Sequence, residues 1–208
     1  MSNIKDKTSA MKQIRDELVD FKESPLYEYR VENNYFPVIG EGDHNADILF
    51  IGEAPGENEA KRARPFCGAS GRILDELLHS IELDRDTVYV TNVVKDRPPS
   101  NRDPSVEEIK LYTPFLIRQI DIIEPRIVAT LGRFAMDFML ENFDSKTQDA
   151  IGKLKISEAH GKSYDLITDE GTEFKLIPLY HPAVALYNGS QKDVLLKDFQ
   201  ILKNIISA

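Results

Sequence analysis

The sequence predicts a single α/β domain over residues 1–208: a three-layer α/β/α sandwich around a central, mostly four-stranded parallel sheet. Three observations lead there. Four short, continuous apolar runs read as strands buried on both faces, which is the habit of parallel sheets. Segments of helical period separate them, as parallel crossovers require. No repeat, low-complexity tract or linker divides the chain.

Taken in order, Met11, Ile14, Leu18 and Phe21 give residues 9–22 a helical spacing, and the proline of "SPLYEYR" ends it. "ADILFIG" is the first strand, stopping at Gly52. "GRILDELLHSIEL" places Ile73, Leu74, Leu77, Leu78 and Ile81 on one helical face. "DTVYVTNVV" is the second strand. In "RDPSVEEIKLYTPFLIRQIDIIEP" the expected cap is Asp103, Pro104 suits the first turn, and Glu107 and Glu108 favour the positive end of the helix dipole. Its apolar stripe runs through Ile109, Tyr112, Leu116, Ile120 and Ile123. "RIVATLG" is the third strand, "RFAMDFMLENF" a helix, "FKLIPLYHP" the fourth strand and "DVLLKDFQILKNII" the closing helix. Residues 143–173 are the least regular and read as an insertion or a small hairpin.

Composition narrows the function. Hydrophobic residues make up 41% and charged residues 29%, the balance of a soluble globular protein. No apolar run reaches the length of a membrane span, and the first residues lack the apolar core of a signal peptide, so a cytoplasmic protein is expected. A formal net charge of −9 argues against coating nucleic acid through bulk charge. Cations nevertheless gather locally, as Lys61, Arg62, Arg64 and Arg72, and again as Lys95, Arg97 and Arg102. One cysteine, Cys67, excludes an internal disulfide and any metal cluster held by several thiolates.

Ligands of open parallel sheets bind beyond the carboxyl ends of the strands. Glu53 follows the first strand, Asn92 ends the second and His181 follows the fourth, so alternation puts all three on one rim. Each has a plain structural use: a turn cap, a loop tie, a satisfied loop histidine. Phe66 alone reads as core, and Glu57 and Glu59 as a solvated turn. Together they suit a flat, polar, uncharged ring. An aromatic face stacks on it, an amide reads its edge, an imidazole donates to a carbonyl oxygen, and carboxylates lie near a developing cation. The basic loops would hold phosphates.

"GEAPGENEAKRARPFCGASGRIL", "TNVVKDRPPSNRDPSVEE", "PFLIRQI" and "YHPAVAL" resemble the uracil-DNA glycosylase superfamily, most nearly its family 4, the iron–sulfur type, from about residue 20 to 200. The resemblance implies the same three-layer fold and excision of uracil from DNA by base flipping, leaving an abasic site. It implies catalytic roles for Glu53, Glu59 and His181, and a base pocket of Gly52, Ala54, Pro55, Gly56, Phe66 and Asn92. In some relatives an aspartate stands where this chain has Ala54. DNA contacts would come from Lys61, Arg62, Arg64, Lys95, Arg97 and Arg102. Leu186 or Tyr187 would wedge into the stack, with Lys192 nearby for a phosphate. Alternatives are a glycosylase for another deaminated base, hypoxanthine or xanthine, or a non-catalytic protein that binds damaged DNA. A monomer acting on uracil-containing DNA is expected.

Family 4 holds a four-iron four-sulfur cluster through four cysteines. The aligned positions here are Phe21, Ser24, Asp96 and Tyr112. Because the cluster needs thiolates, no cofactor is expected. The rings of Phe21 and Tyr112 are expected to fill the space, with Ser24 and Asp96 hydrogen-bonded at its edge. Cys67 is expected to act as a small hydrophobe in the pocket wall.

Overall fold

A computed structural model describes residues 4–143 and 154–206. In chain order its elements are α1 (Ile4–Val19), α2 (Tyr27–Glu32), β1 (Glu41–Gly42), β2 (Ile48–Gly52), α3 (Glu57–Arg62), α4 (Ala69–Ser80), β3 (Tyr89–Asn92), α5 (Val106–Ile123), β4 (Ile127–Leu131), α6 (Arg133–Asn142), α7 (Ile156–Ala159), β5 (Tyr164–Ile167), β6 (Glu173–Leu179), α8 (Val184–Tyr187) and α9 (Gly189–Ile206). A 3₁₀ turn, Pro99–Asn101, precedes α5.

The sheet has six strands in the order β1-β3-β2-β4-β6-β5. The four expected strands form its parallel centre, and two short strands add antiparallel edges, β1 on β3 and β5 on β6. Of the segment 143–173, expected as an insertion or a small hairpin, β5 pairs not with a strand inside it but with the fourth expected strand, β6; residues 144–153 lie outside the described part.

Side chains alternate across β2. Leu49 and Ile51 join a core with α1, α5 and α6, while Ile48 and Phe50 join a core with α4 and α9. Helices therefore cover both faces, giving three layers. Chain order reverses around β2, with β3 on one side and β4 on the other. A crevice opens at the carboxyl end of such a switch point.

Two local expectations change. α5 is capped by Ser105, not Asp103: the Glu108 amide donates to Ser105 Oγ (3.2 Å), and the Ser105 amide donates to the Glu108 carboxylate (2.8 Å). The sequence holds two overlapping cap signals, and this one wins because the Ser-x-x-Glu box satisfies two orphan amides at once. Phe21 is not on the stripe of α1, which ends at Val19; it sits in the following turn.

From that turn Phe21 packs edge-on against Tyr112 and Phe115, with ring centroids 5.6 and 5.1 Å away. Ser24 and Asp96 are not at an edge but buried in the interior. The Tyr112 hydroxyl donates to Asp96 Oδ2 (2.6 Å) and lies 2.7 Å from Ser24 Oγ. The partner missed in the sequence is Arg30. Its guanidinium pairs with Asp96 (3.0 Å) and donates to the carbonyls of Leu18 (2.9 Å) and Val19 (2.7 Å). Burial pushes the Asp96 carboxyl up, opposed by Arg30 and Tyr112. The network ties the end of α1, the 21–24 turn, α5 and the start of loop 95–102 together. Among the described residues no helix is long and apolar enough to cross a membrane.

Removing the Tyr112 hydroxyl strips a donor from a buried carboxylate, so Tyr112→Phe is expected to destabilise by about 1–3 kcal/mol. Tyr112→Ala adds a cavity and is expected to cost about 3–5 kcal/mol. Urea unfolding of both variants checks the order; equal losses would mean that the ring adds nothing beyond its hydroxyl.

Candidate active site

The crevice at the switch point is a cleft of about 440 Å³. It is lined by Glu53, Ala54, Pro55, Gly56, Glu59 and Phe66 from the segment after β2, by Asn92 and Arg102 from β3 and its loop, and by His181 from the segment after β6. The carboxylate, carboxamide and imidazole expected on one rim therefore share one cavity. Ser70, Pro98, Asn101 and Ala183 also line it and were not singled out in the sequence.

Register sets the spacing. Gly52 pairs with Asn92 in the parallel ladder. Beyond it, the Val93 amide donates to the Gly52 carbonyl (2.9 Å) and the Val94 amide to that of Glu53 (3.0 Å). A Cβ on Gly52 would lie 2.4 Å from Asn92 Oδ1 and 2.7 Å from the Phe66 ring, so only glycine lets amide and ring meet there. Asn92 is 2% exposed, and among the described residues no protein group hydrogen-bonds its side-chain amide.

Phe66 is 8% exposed and holds a left-handed backbone (φ 48°), sparsely allowed for a bulky residue. Two features maintain it. Glu59 Oε1 accepts from the amides of Cys67 (3.0 Å) and Gly68 (2.9 Å). Gly71, inside α4, leaves room for the Phe66 carbonyl, which a Cβ there would approach to 1.7 Å. Cys67 supplies an amide but does not line the cleft, so the expected wall role is corrected: the left-handed turn at Phe66 points the ring, not its neighbour, inward. Burial raises the pKa of the thiol.

His181 faces Phe66, with ring centroids 5.6 Å apart. Burial lowers its pKa to about 4, so the imidazole is neutral near pH 7. Its Nδ1 lies 3.1 Å from the Ala183 amide, which can only donate. Nδ1 is then the acceptor nitrogen, and the single ring proton sits on Nε2. Glu53 is half-buried; burial raises its pKa, helped by the charge of Asp103 and opposed by Arg133.

The basic residues behave unequally. Lys61 pairs with Glu57 (2.5 Å), Arg64 with Glu41 (2.8 Å), and Lys192 with Glu76 (2.5 Å). Arg97 donates to Asn101 Oδ1 and the Tyr35 hydroxyl, and Arg102 makes two hydrogen bonds to Glu108. Arg62 is exposed, Leu186 partly so, and Tyr187 is 89% exposed. Lys95 is a correction. It is fully buried, with Nζ held by Thr91, the Asn92 carbonyl and Gln119 of α5, so it cannot reach a phosphate.

A sequence profile described as the uracil DNA glycosylase superfamily matches residues 39–203. The chain belongs to that superfamily. Within it, the chain is 42% identical to a type-4 uracil-DNA glycosylase of Sulfurisphaera tokodaii over 94% of its own length and 84% of the relative's. It is 41% identical to the type-4 enzyme of Archaeoglobus fulgidus over 83% and 82%, and 39% identical to that of Thermotoga maritima over 81% and 82%. For a uracil-DNA glycosylase of the iron–sulfur type, the residues at the four ligand positions do not fit a cluster. Phe21 has no donor atom, Ser24 and Tyr112 are hydrogen-bonded to each other, and Asp96 is committed to Arg30 and Tyr112. Cys67 lies elsewhere. Among the described residues no three His, Cys, Asp or Glu side chains gather as metal ligands.

Since His181 titrates near 4 when folded and near 6.5 when exposed, the unfolded chain binds an extra proton between those values. Its neutral burial therefore adds stability above pH 6.5 that is lost as pH falls toward 4. His181→Asn is expected to flatten that part of the stability–pH curve, measured by urea midpoints from pH 7 to 4; an unchanged slope would show that His181 is not buried neutral.

Proposed function

We propose that this chain is a monofunctional uracil-DNA glycosylase, acting as a monomer in the cytoplasm on uracil-containing DNA and leaving an abasic site. The observation that carries the reading is one cleft in which an unpartnered amide, a clamped aromatic ring and a neutral Nε2–H imidazole converge. A glycosidic bond inside a duplex is out of reach, so the nucleotide must first be flipped out, at a cost of a few kcal/mol. Tyr187 and Leu186, exposed on the short helix that follows the cleft-lining Ala183, fill the vacated stack. Arg62, and Lys61, Arg64, Arg97 and Arg102 through exchange with their present partners, hold flanking phosphates. Those exchanges make binding modest and salt-sensitive.

Phe66 stacks on the flipped ring. Asn92 donates from its Nδ2 to uracil O4 and accepts the N3–H at Oδ1. Cytosine reverses both polarities and would leave buried groups mismatched. The C1′–N1 bond breaks with its electron pair passing to N1, and the resulting uracil anion is stabilised by the Nε2–H of His181 at O2. Glu53 stabilises the positive sugar and orients water; the water oxygen bonds to C1′ and its proton passes to Glu53. Glu59, with one oxygen held by two amides, acts as a positioning residue for Phe66. No metal cluster takes part: Arg30, Asp96, Tyr112 and Ser24 tie the segments that thiolates tie in family 4.

The decisive measurement is a duplex carrying one deoxyuridine, incubated with the protein and treated with alkali. Strand breakage is expected only after alkali. His181→Ala is expected to lower the single-turnover rate by about 10²–10³. Gly52→Ala is expected to lower it comparably, with the fold intact by circular dichroism, because the new methyl displaces Asn92 or Phe66. Tight binding without an abasic product, or release of hypoxanthine alone, would overturn the reading.

Loss of activity on the acid side is expected to follow protonation of Glu53, above the ordinary glutamate value of about 4.3. No separate inflection belongs near 6.5, because His181 is already neutral there. Such an inflection in kcat/KM would contradict the assigned imidazole state.

A further inference from the structure

The one lysine lost from the expected DNA face has a different environment from the other cations among the described residues. Lys95 is 0% exposed. Its Nζ lies 2.7 Å from Thr91 Oγ1, 2.6 Å from the carbonyl oxygen of Asn92 and 2.6 Å from Gln119 Oε1. All three act as acceptors. The Thr91 hydroxyl gives its own proton to the Ile39 carbonyl (2.7 Å), so toward the lysine it can only accept. Gln119 Nε2 donates to the same carbonyl (3.0 Å), which leaves Oε1 facing Nζ.

Three acceptors call for three N–H bonds. An ammonium has three and a neutral amine two. Burial pulls the pKa of Lys95 well down, but this donor requirement favours the charged form. Among the described residues no carboxylate pairs with it. Asp96, its neighbour in sequence, is turned to Arg30 and Tyr112. A cation without a counter-ion is thus hydrogen-bonded to the main chain of the residue whose amide faces the cleft.

We propose that Lys95 is a positioning residue for uracil excision, holding Asn92 at the cleft floor and setting a fixed positive charge behind it, where the departing base becomes negative. The inference rests on the glycosylase reading above. As the glycosidic bond breaks, the electron pair on N1 spreads over the uracil ring and its two carbonyl oxygens. A buried charge acts on that ring through protein rather than water, where screening is weak, and its cost of burial is met when the protein folds rather than during the reaction. Asn92 transmits the placement: its carbonyl is bound by Nζ, its amide reads the base, and its strand partner is Gly52.

The test uses leaving-group chemistry. Lys95→Met keeps the stem and removes the charge. Single-turnover excision is measured on matched duplexes containing uracil or 5-fluorouracil, whose N1 anion is intrinsically more stable. Lys95→Met is expected to slow uracil release by about 10- to 100-fold, less than the roughly 10²–10³ lost with a donor in direct contact with the developing charge. The slowing of 5-fluorouracil release should be clearly smaller. Equal slowing on both bases would overturn the charge role, and no slowing would overturn the whole proposal. If Lys95→Met does not fold by circular dichroism, Lys95→Gln, uncharged with two donors, is read the same way. Independently, the ¹⁵Nζ resonance of Lys95 in the unaltered protein should report an ammonium at pH 7, and a neutral-amine signal would overturn the inference. Failure of the unaltered protein to release uracil would instead remove the glycosylase reading.

Discussion

The absence of a side chain at Gly52 is the constraint on which the cleft depends. Parallel register sets Gly52 beside Asn92, and a Cβ there would overlap both the Asn92 amide and the Phe66 ring. An amide and an aromatic face can therefore border the same space only because one strand ends without a side chain. The surrounding contacts preserve that approach. Glu59 holds the amides after Phe66, Gly71 admits its carbonyl, and the ladder continues past the strands through Val93 and Val94. Each is a short-range steric or hydrogen-bonding condition, and together they keep a bulky residue in a left-handed conformation that it would otherwise avoid.

Charge is organised in the opposite way on the surface and inside. On the surface, an acidic body supplies partners to the cations around the cleft: Lys61, Arg64 and Arg102 are each paired with a glutamate. Inside, the charges are few and tightly hydrogen-bonded. Arg30 and Asp96 join the first helix to the loop that borders the cleft, and Lys95 sits under Asn92. His181 is kept neutral by the same burial that makes its one proton an effective donor. A buried, satisfied polar group holds its geometry more firmly than an exposed one, because breaking its contacts exposes an unmet donor or acceptor to a medium that cannot replace it.

Most of the architecture was legible in the sequence because its signals are local. The four parallel strands are continuous apolar runs, and α4, α5, α6 and α9 follow apolar stripes of helical period. The edge strand Glu41–Gly42 has no such signal: two residues pair with β3 through backbone groups alone. The cap of α5 was misassigned because Asp103-Pro104 and Ser105 through Glu108 are both acceptable locally, and the reciprocal hydrogen bonds decide between them. Arg30 carried no signal, since its partner Asp96 is distant in sequence. Lys95 was misassigned for a related reason: a lysine among arginines in a loop looks solvated until the acceptors of Thr91 and Gln119 are seen to enclose it.

By itself, the sequence determined the alternation of strands and helices, the superfamily motifs, and the rim on which Glu53, Asn92 and His181 would meet, because periodicity and strand ends are properties of neighbouring residues. Only the tertiary structure decided which nitrogen of His181 carries the proton, which cations face outward and that Arg30 completes the buried network where family 4 keeps its thiolates. Those outcomes depend on desolvation and on hydrogen-bond partners drawn from distant parts of the chain, and neither is defined until the chain has packed.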